Sequence, residues 1–203
     1  MSLTLLDAPT ASAPELSRRH HRVPGETGIW VFIFGDMLVF AITFASYLYY
    51  RGKNVALFNA SQLLLNPDFG LVNTLLLLTS SLFVVLAVGT VRRGVHQPAP
   101  PLILGAFGCG LAFSVLKIIE YSSKVDAGLT PQTNNFFMLY YVLTGLHWFH
   151  LAIGLGALTY MFFSARRPAL DTKQFGWFEG FGCYWHMVDL LWIVLFPLLY
   201  LVN

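Results

Sequence analysis

Charge is scarce in this chain. Of its 203 residues, 11% are Asp, Glu, Lys or Arg and 56% are apolar. Soluble domains carry about 25% charged residues, so a water-facing enzyme is excluded and a nucleic-acid partner is not expected. Cysteine is scarce too. Cys109 and Cys183 both fall in apolar segments, with no C-x-x-C-H for covalent haem and no C-x-x-C pair for zinc. They read as packed, reduced thiols. No long polar region is present either. Outside the apolar segments there is a tail and short loops, too little to build a soluble catalytic domain. No internal repeat is visible, and an odd number of apolar segments argues against a simple inverted-repeat transporter.

What the chain does have is long apolar runs. A membrane span needs about 20 such residues, and five stretches qualify: 28–50, 70–91, 99–121, 136–163 and 176–201. The expected fold is an all-α membrane protein, a bundle of five transmembrane helices over residues 26–203. Residues 1–25, rich in Ala, Ser, Pro and Arg, lack an apolar core and read as a disordered cytoplasmic tail, not a cleavable signal peptide. Arg18, Arg19, Arg22, Arg92, Arg93, Arg166, Arg167 and Lys173 flank one side. Arg51, Lys53 and Lys124 flank the other. The excess of basic residues on cytoplasmic loops then places the N-terminus in the cytoplasm and the C-terminus in the periplasm.

Ionisable groups sit within these spans: Asp36, Glu120, His147, His150, His186 and Asp189. Each is costly in hydrocarbon unless paired or facing a cavity. Asp36 lies roughly 12 Å into the first span, with no cation nearby in its own helix. Lys117 and Glu120 are three residues apart and share a face near the far end of the third span, as a snorkelling pair would. His147 and His150 lie near the midplane of the fourth span. In the fifth, Glu179, Cys183 and His186 follow helical spacing along one stripe, with Asp189 adjoining it. A hydrogen bond between His186 and His147 is expected to join the last two spans.

Three midplane histidines are open to two readings. A bis-imidazole haem needs one histidine from each of two helices at similar depth. Alternatively, each imidazole hydrogen-bonds a carboxylate or carbonyl on a neighbouring helix. A proton relay through Asp36, Asp189 and the histidines is chemically possible, but no continuous ladder can be read from the spacing.

GLHWFHLAIG, followed by YWHMVDLLWIVLF, resembles the last two helices of subunit III of haem–copper respiratory oxidases. VLKIIEY around Glu120, LVNTLLLLTSS and GDMLVF around Asp36 resemble three earlier helices of that family, in the same order. The resemblance implies an accessory subunit without a catalytic residue, metal or cofactor of its own, haem and copper belonging to the partner. It implies packing on catalytic subunit I, phospholipid binding in a cleft, and support of sustained turnover and proton uptake, all in a bacterial inner membrane. Asp36, Glu120, His147, His150, His186 and Asp189 would bind lipid or brace helices. Five spans match the short form found in bacterial quinol oxidases, and HMVDLLWIVLFPLLYL looks most like relatives associated with nitric oxide reductase. In departure from the family, Asp36 stands where many members have Glu, Lys117 adds a cation beside Glu120, and Trp148–Phe149 replaces a smaller pair. The rival classes are a haem b-binding membrane anchor of a quinone-linked oxidoreductase and, less favoured, an ion or proton transporter.

Overall fold

The structure, a computed structural model, describes residues 27–168 and 170–201. The expected disordered tail, 1–25, lies outside the described residues. Among those described, every regular element is helical: α1 Thr27–Lys53, α2 Val55–Gln62, α3 Pro67–Arg92, α4 Ala99–Asp126, α5 Asn135–Ala165 and α6 Thr172–Tyr200. All but α2 are long and apolar enough to cross a membrane. Each spanning helix runs further than its apolar run because capping groups, not hydropathy, set its ends. Asn66 Oδ1 accepts from the Asp68 amide behind Pro67, and Asn134 Oδ1 accepts from that of Phe137. Asp171 and Gln174 form a reciprocal capping box. At the other ends, Gly94 and Gly128 take positive φ angles of 76° and 75° and turn the chain out of α3 and α4.

α2 occupies a stretch expected as loop. Its presence is explained by what it covers. The last four carbonyls of a helix have no partner within it, and Gln62 Nε2 donates to those of Leu198 and Leu199 at 3.2 Å each. Tyr47 in α1 donates its hydroxyl to Leu198 as well. The short helix thus closes the α6 terminus.

Helices α3, α4, α5 and α6 pack in a ring, α3 against α4 and α6, α5 against α4 and α6. Small residues permit the close approach. A Cβ added at Gly154 in α5 would lie 2.8 Å from the Trp185 ring, and one at Gly110 in α4 would lie 2.9 Å from it. The indole therefore fills the ring's centre. Its Nε1 donates to Ser80 Oγ at 3.1 Å, and that hydroxyl donates to the Ala106 carbonyl at 2.9 Å. One α6 side chain so touches all three neighbouring helices.

α1 lies outside the ring, against α5 and α6. Only 17% of its apolar window is buried, against 56% for α6. A largely apolar cavity of about 530 Å³ separates the start of α1 from α5 and α6, lined by Ile29, Phe32, Ile153, Tyr160, Trp177 and Phe181.

Candidate functional site

The buried polar groups divide into three sets at different depths. The first joins α1 to the ring. His150 Nδ1 stands 2.7 Å from the Leu146 carbonyl, which can only accept, so this nitrogen donates. Its Nε2 lies 3.2 Å from Asp36 Oδ1. Asp36, with no cation nearby in its own helix, finds its partner across the helix–helix contact. Phe40 covers the imidazole edge-on at 5.3 Å.

The second set lies between α3 and α6. His186 Nδ1 and Ser81 Oγ are 2.6 Å apart. The expected bond from His186 to His147 is absent. Instead, α5 and α6 are linked by the Tyr184 hydroxyl donating to the His150 carbonyl at 3.2 Å. His186 shares a cavity of about 280 Å³ with Cys183, Glu179 and Arg92, so the stripe read from spacing is one surface in the fold. At its end Arg92 donates Nε and Nη2 to Glu179 Oε1, at 3.1 and 2.6 Å. Asp189 does not line this cavity; it is buried beside Ser81, the hydroxyl that meets His186.

The third set is the densest. Lys117 Nζ donates to Glu120 Oε2 at 2.8 Å and to the Tyr200 hydroxyl at 3.0 Å. Glu120 Oε1 accepts from the Tyr140 and Tyr200 hydroxyls at 2.9 and 2.6 Å. The Lys117 ammonium also sits 4.8 Å from the Trp192 ring centroid, among three tyrosines. The pair expected to snorkel is therefore sealed inside the bundle. Lys124, read as an exposed flanking cation, is buried beside it. Spacing along α4 revealed the Lys117–Glu120 pair. The two tyrosines arrive from α5 and α6, and nothing in the local sequence marks them as its partners.

His147 is fully buried between Phe113 and Trp192, with ring centroids 5.6 and 5.2 Å away and both nitrogens unbonded. The three histidines thus turn to three neighbours: His150 to α1, His147 to the Phe113 and Trp192 rings, His186 to α3. No two of their rings face each other as axial ligands of a haem would. Among the described residues, no three of His, Cys, Asp and Glu gather as a metal would require.

The fold and its polar core define a multi-pass helical membrane protein in which buried polar side chains join neighbouring helices, His150 to Asp36, His186 to Ser81 and Glu120 to Tyr140 and Tyr200. Residues 20–203 match the family described as cytochrome c oxidase subunit III, and the chain belongs to that family. It is similar to cytochrome c oxidase subunit 3 of Bacillus sp. (strain PS3), 32% identical over 87% of this chain and 84% of that one. It is also similar to cytochrome bo(3) ubiquinol oxidase subunit 3 of Pseudomonas aeruginosa, 26% identical over 100% of this chain and 99% of that one. A haem–copper oxidase subunit I+III of Aeropyrum pernix is 29% identical over 87% of this chain, which covers 22% of that longer protein.

Proposed function

We propose that this chain is the accessory subunit III of a haem–copper oxidase, carrying no redox centre itself. The family match over 20–203, which takes in the whole described bundle, carries this reading. The geometry supports it. The buried carboxylates and imidazoles are engaged mainly across helix contacts, as groups that set packing are, and they do not converge on a cavity where a substrate would react. On this reading the partner is catalytic subunit I, of the oxygen- or nitric oxide-reducing type. Orientation follows the basic flanks, with the N-terminus cytoplasmic in a bacterial inner membrane. The chain would stabilise subunit I, hold phospholipid and support proton uptake during sustained turnover. Asp36, Glu120, His147, His150, His186 and Asp189 would serve by bracing helices or touching lipid.

The test is capture of the full chain from native membranes in mild detergent. Recovery of a haem- and copper-containing subunit I in equal amount supports the proposal. Recovery of the chain with a b-type spectrum of its own, lost in His150→Ala or His186→Ala, would instead favour the haem-anchor class.

A further inference from the structure

Polar side chains step inward from the end of α3 and the start of α6. At the mouth, Arg92, 60% exposed, clasps Glu179, 12% exposed, at 2.6 Å. Cys183 and then His186 follow along α6, and all four line the cavity of about 280 Å³. His186 stands seven residues beyond Glu179, roughly 10 Å along the helix axis. The cavity has room for several water molecules, each of which takes up about 30 Å³ in the liquid.

His186 joins this cavity to the interior. Its Nδ1 stands 2.6 Å from Ser81 Oγ, and the imidazole lines the cavity, which leaves Nε2 as the nitrogen open to it. Behind the Ser81 hydroxyl, Asp189 is 3% exposed. An imidazole can take a proton at one nitrogen and release one from the other, and a hydroxyl can accept one proton and pass on its own. The His186–Ser81 bond already joins α3 to α6, so bracing alone gives Asp189 no role. A carboxylate inside a membrane is costly without a cation, and among the described residues no cation pairs with Asp189. Arg92 of α3 is spent on Glu179. On α5, His147 is enclosed by Phe113 and Trp192, and His150 is taken by Asp36 of α1. Beyond Asp189, residues 190–196 of α6 are all apolar, so the series stops there.

We propose that Asp189 exchanges a proton with water at the Arg92 end of the bundle through His186 and Ser81, a one-sided relay that ends inside the membrane. A proton from a hydronium in the cavity bonds to His186 Nε2 as the Nδ1–H bond breaks towards Ser81 Oγ. The hydroxyl releases its own proton to an Asp189 carboxylate oxygen. The net change is carboxylate plus hydronium to carboxylic acid plus water, no electrons move, and the reverse sequence releases the proton. The relay deepens the proton-uptake part of the proposed function and rests on that reading for its use, while the exchange itself belongs to the chain alone.

The experiment is infrared spectroscopy of the full chain in mild detergent, transferred from H2O to D2O. The carboxylic acid C=O stretch of Asp189 is identified by its loss in Asp189→Asn, and deuteration shifts it. In the wild type that shift should be complete well before the α6 backbone amides exchange. In Ser81→Ala and in His186→Phe it should slow by about tenfold or more, the effect of roughly 1.4 kcal/mol added to the barrier. Ser81→Thr, which keeps the hydroxyl, should restore the rate. A role confined to bracing would leave the shift tied to amide exchange in every variant. Absence of any band that depends on Asp189 would overturn the relay. So would a shift as fast in both Ser81→Ala and His186→Phe as in the wild type. Should neither variant fold, a wild-type shift no faster than α6 amide exchange would still overturn it, because the proton would then leave only when the bundle opens. Exchange is read on the chain alone, so its failure leaves the oxidase-subunit reading standing, and failure of the capture experiment leaves the relay standing.

Discussion

His150 Nε2 stands 3.2 Å from Asp36 Oδ1, and this polar contact ties α1 to the ring near mid-span. Besides it α1 is held by the buried side chains of Ile29, Ile33, Phe40 and Tyr47, so the link should be a measurable share of its attachment. Interhelical hydrogen bonds in membranes average about 0.6 kcal/mol and reach about 1.7. Asp36→Ala and His150→Ala should each destabilise the chain in mixed-micelle unfolding. The double variant should cost less than the sum by about that amount. Strict additivity would show that the pair does not hold α1.

The centre of the ring should resist added volume. In Gly154→Ala the new methyl lies 2.8 Å from the Trp185 ring, and overpacking of this kind costs about 1–3 kcal/mol. Trp185→Phe makes room but leaves Ser80 without its indole donor. Gly154→Ala should therefore be less damaging in a Trp185→Phe background than in the wild type. Thermal unfolding of the four variants measures this, and equal cost in both backgrounds would refute the packing described.

Glu120 should matter more than either lysine beside it. Its removal leaves Lys117 buried without its carboxylate, and breaking a buried pair this way costs about 3–5 kcal/mol. Glu120→Gln should fail to accumulate or should unfold far below the wild type. Adding Lys117→Met should recover part of the loss, since the orphaned ammonium is then gone. An unimpaired Glu120→Gln protein would contradict the network.

His186 should be dispensable for chemistry. It bonds Ser81 across the α3–α6 contact and borders the cavity that ends at Arg92 and Glu179. In an assembled oxidase, His186→Ala should leave the initial rate within about twofold, which corresponds to under 1 kcal/mol in the barrier, and should shorten the active lifetime. Loss of the first turnover in a fully assembled complex would make the residue catalytic.

The legibility of these features in the sequence follows from their range. Long apolar runs set the five spans, and residue order carried the family resemblance. Helical spacing correctly placed Glu179, Cys183 and His186 on one surface, and Lys117 beside Glu120. Spacing says which residues share a face but not which helix that face meets. Hence His186 was expected at His147 and instead meets Ser81, while Asp36 meets His150 from a helix more than 100 residues away in sequence. α2 escaped because eight residues of mixed polarity give no clear period, and its stability comes from the α6 carbonyls it caps. Lys124 resembled an interfacial cation because burial at a helix end depends on the loops that fold over it.

The most direct test of the central claim is turnover of the partner oxidase with this subunit removed by detergent and then restored. The account predicts that the depleted enzyme keeps its haem, copper and initial rate but loses activity faster during sustained turnover, and that adding the subunit back restores its lifetime. Loss of haem together with the subunit, or an initial rate abolished by its removal and restored with it, would contradict the account.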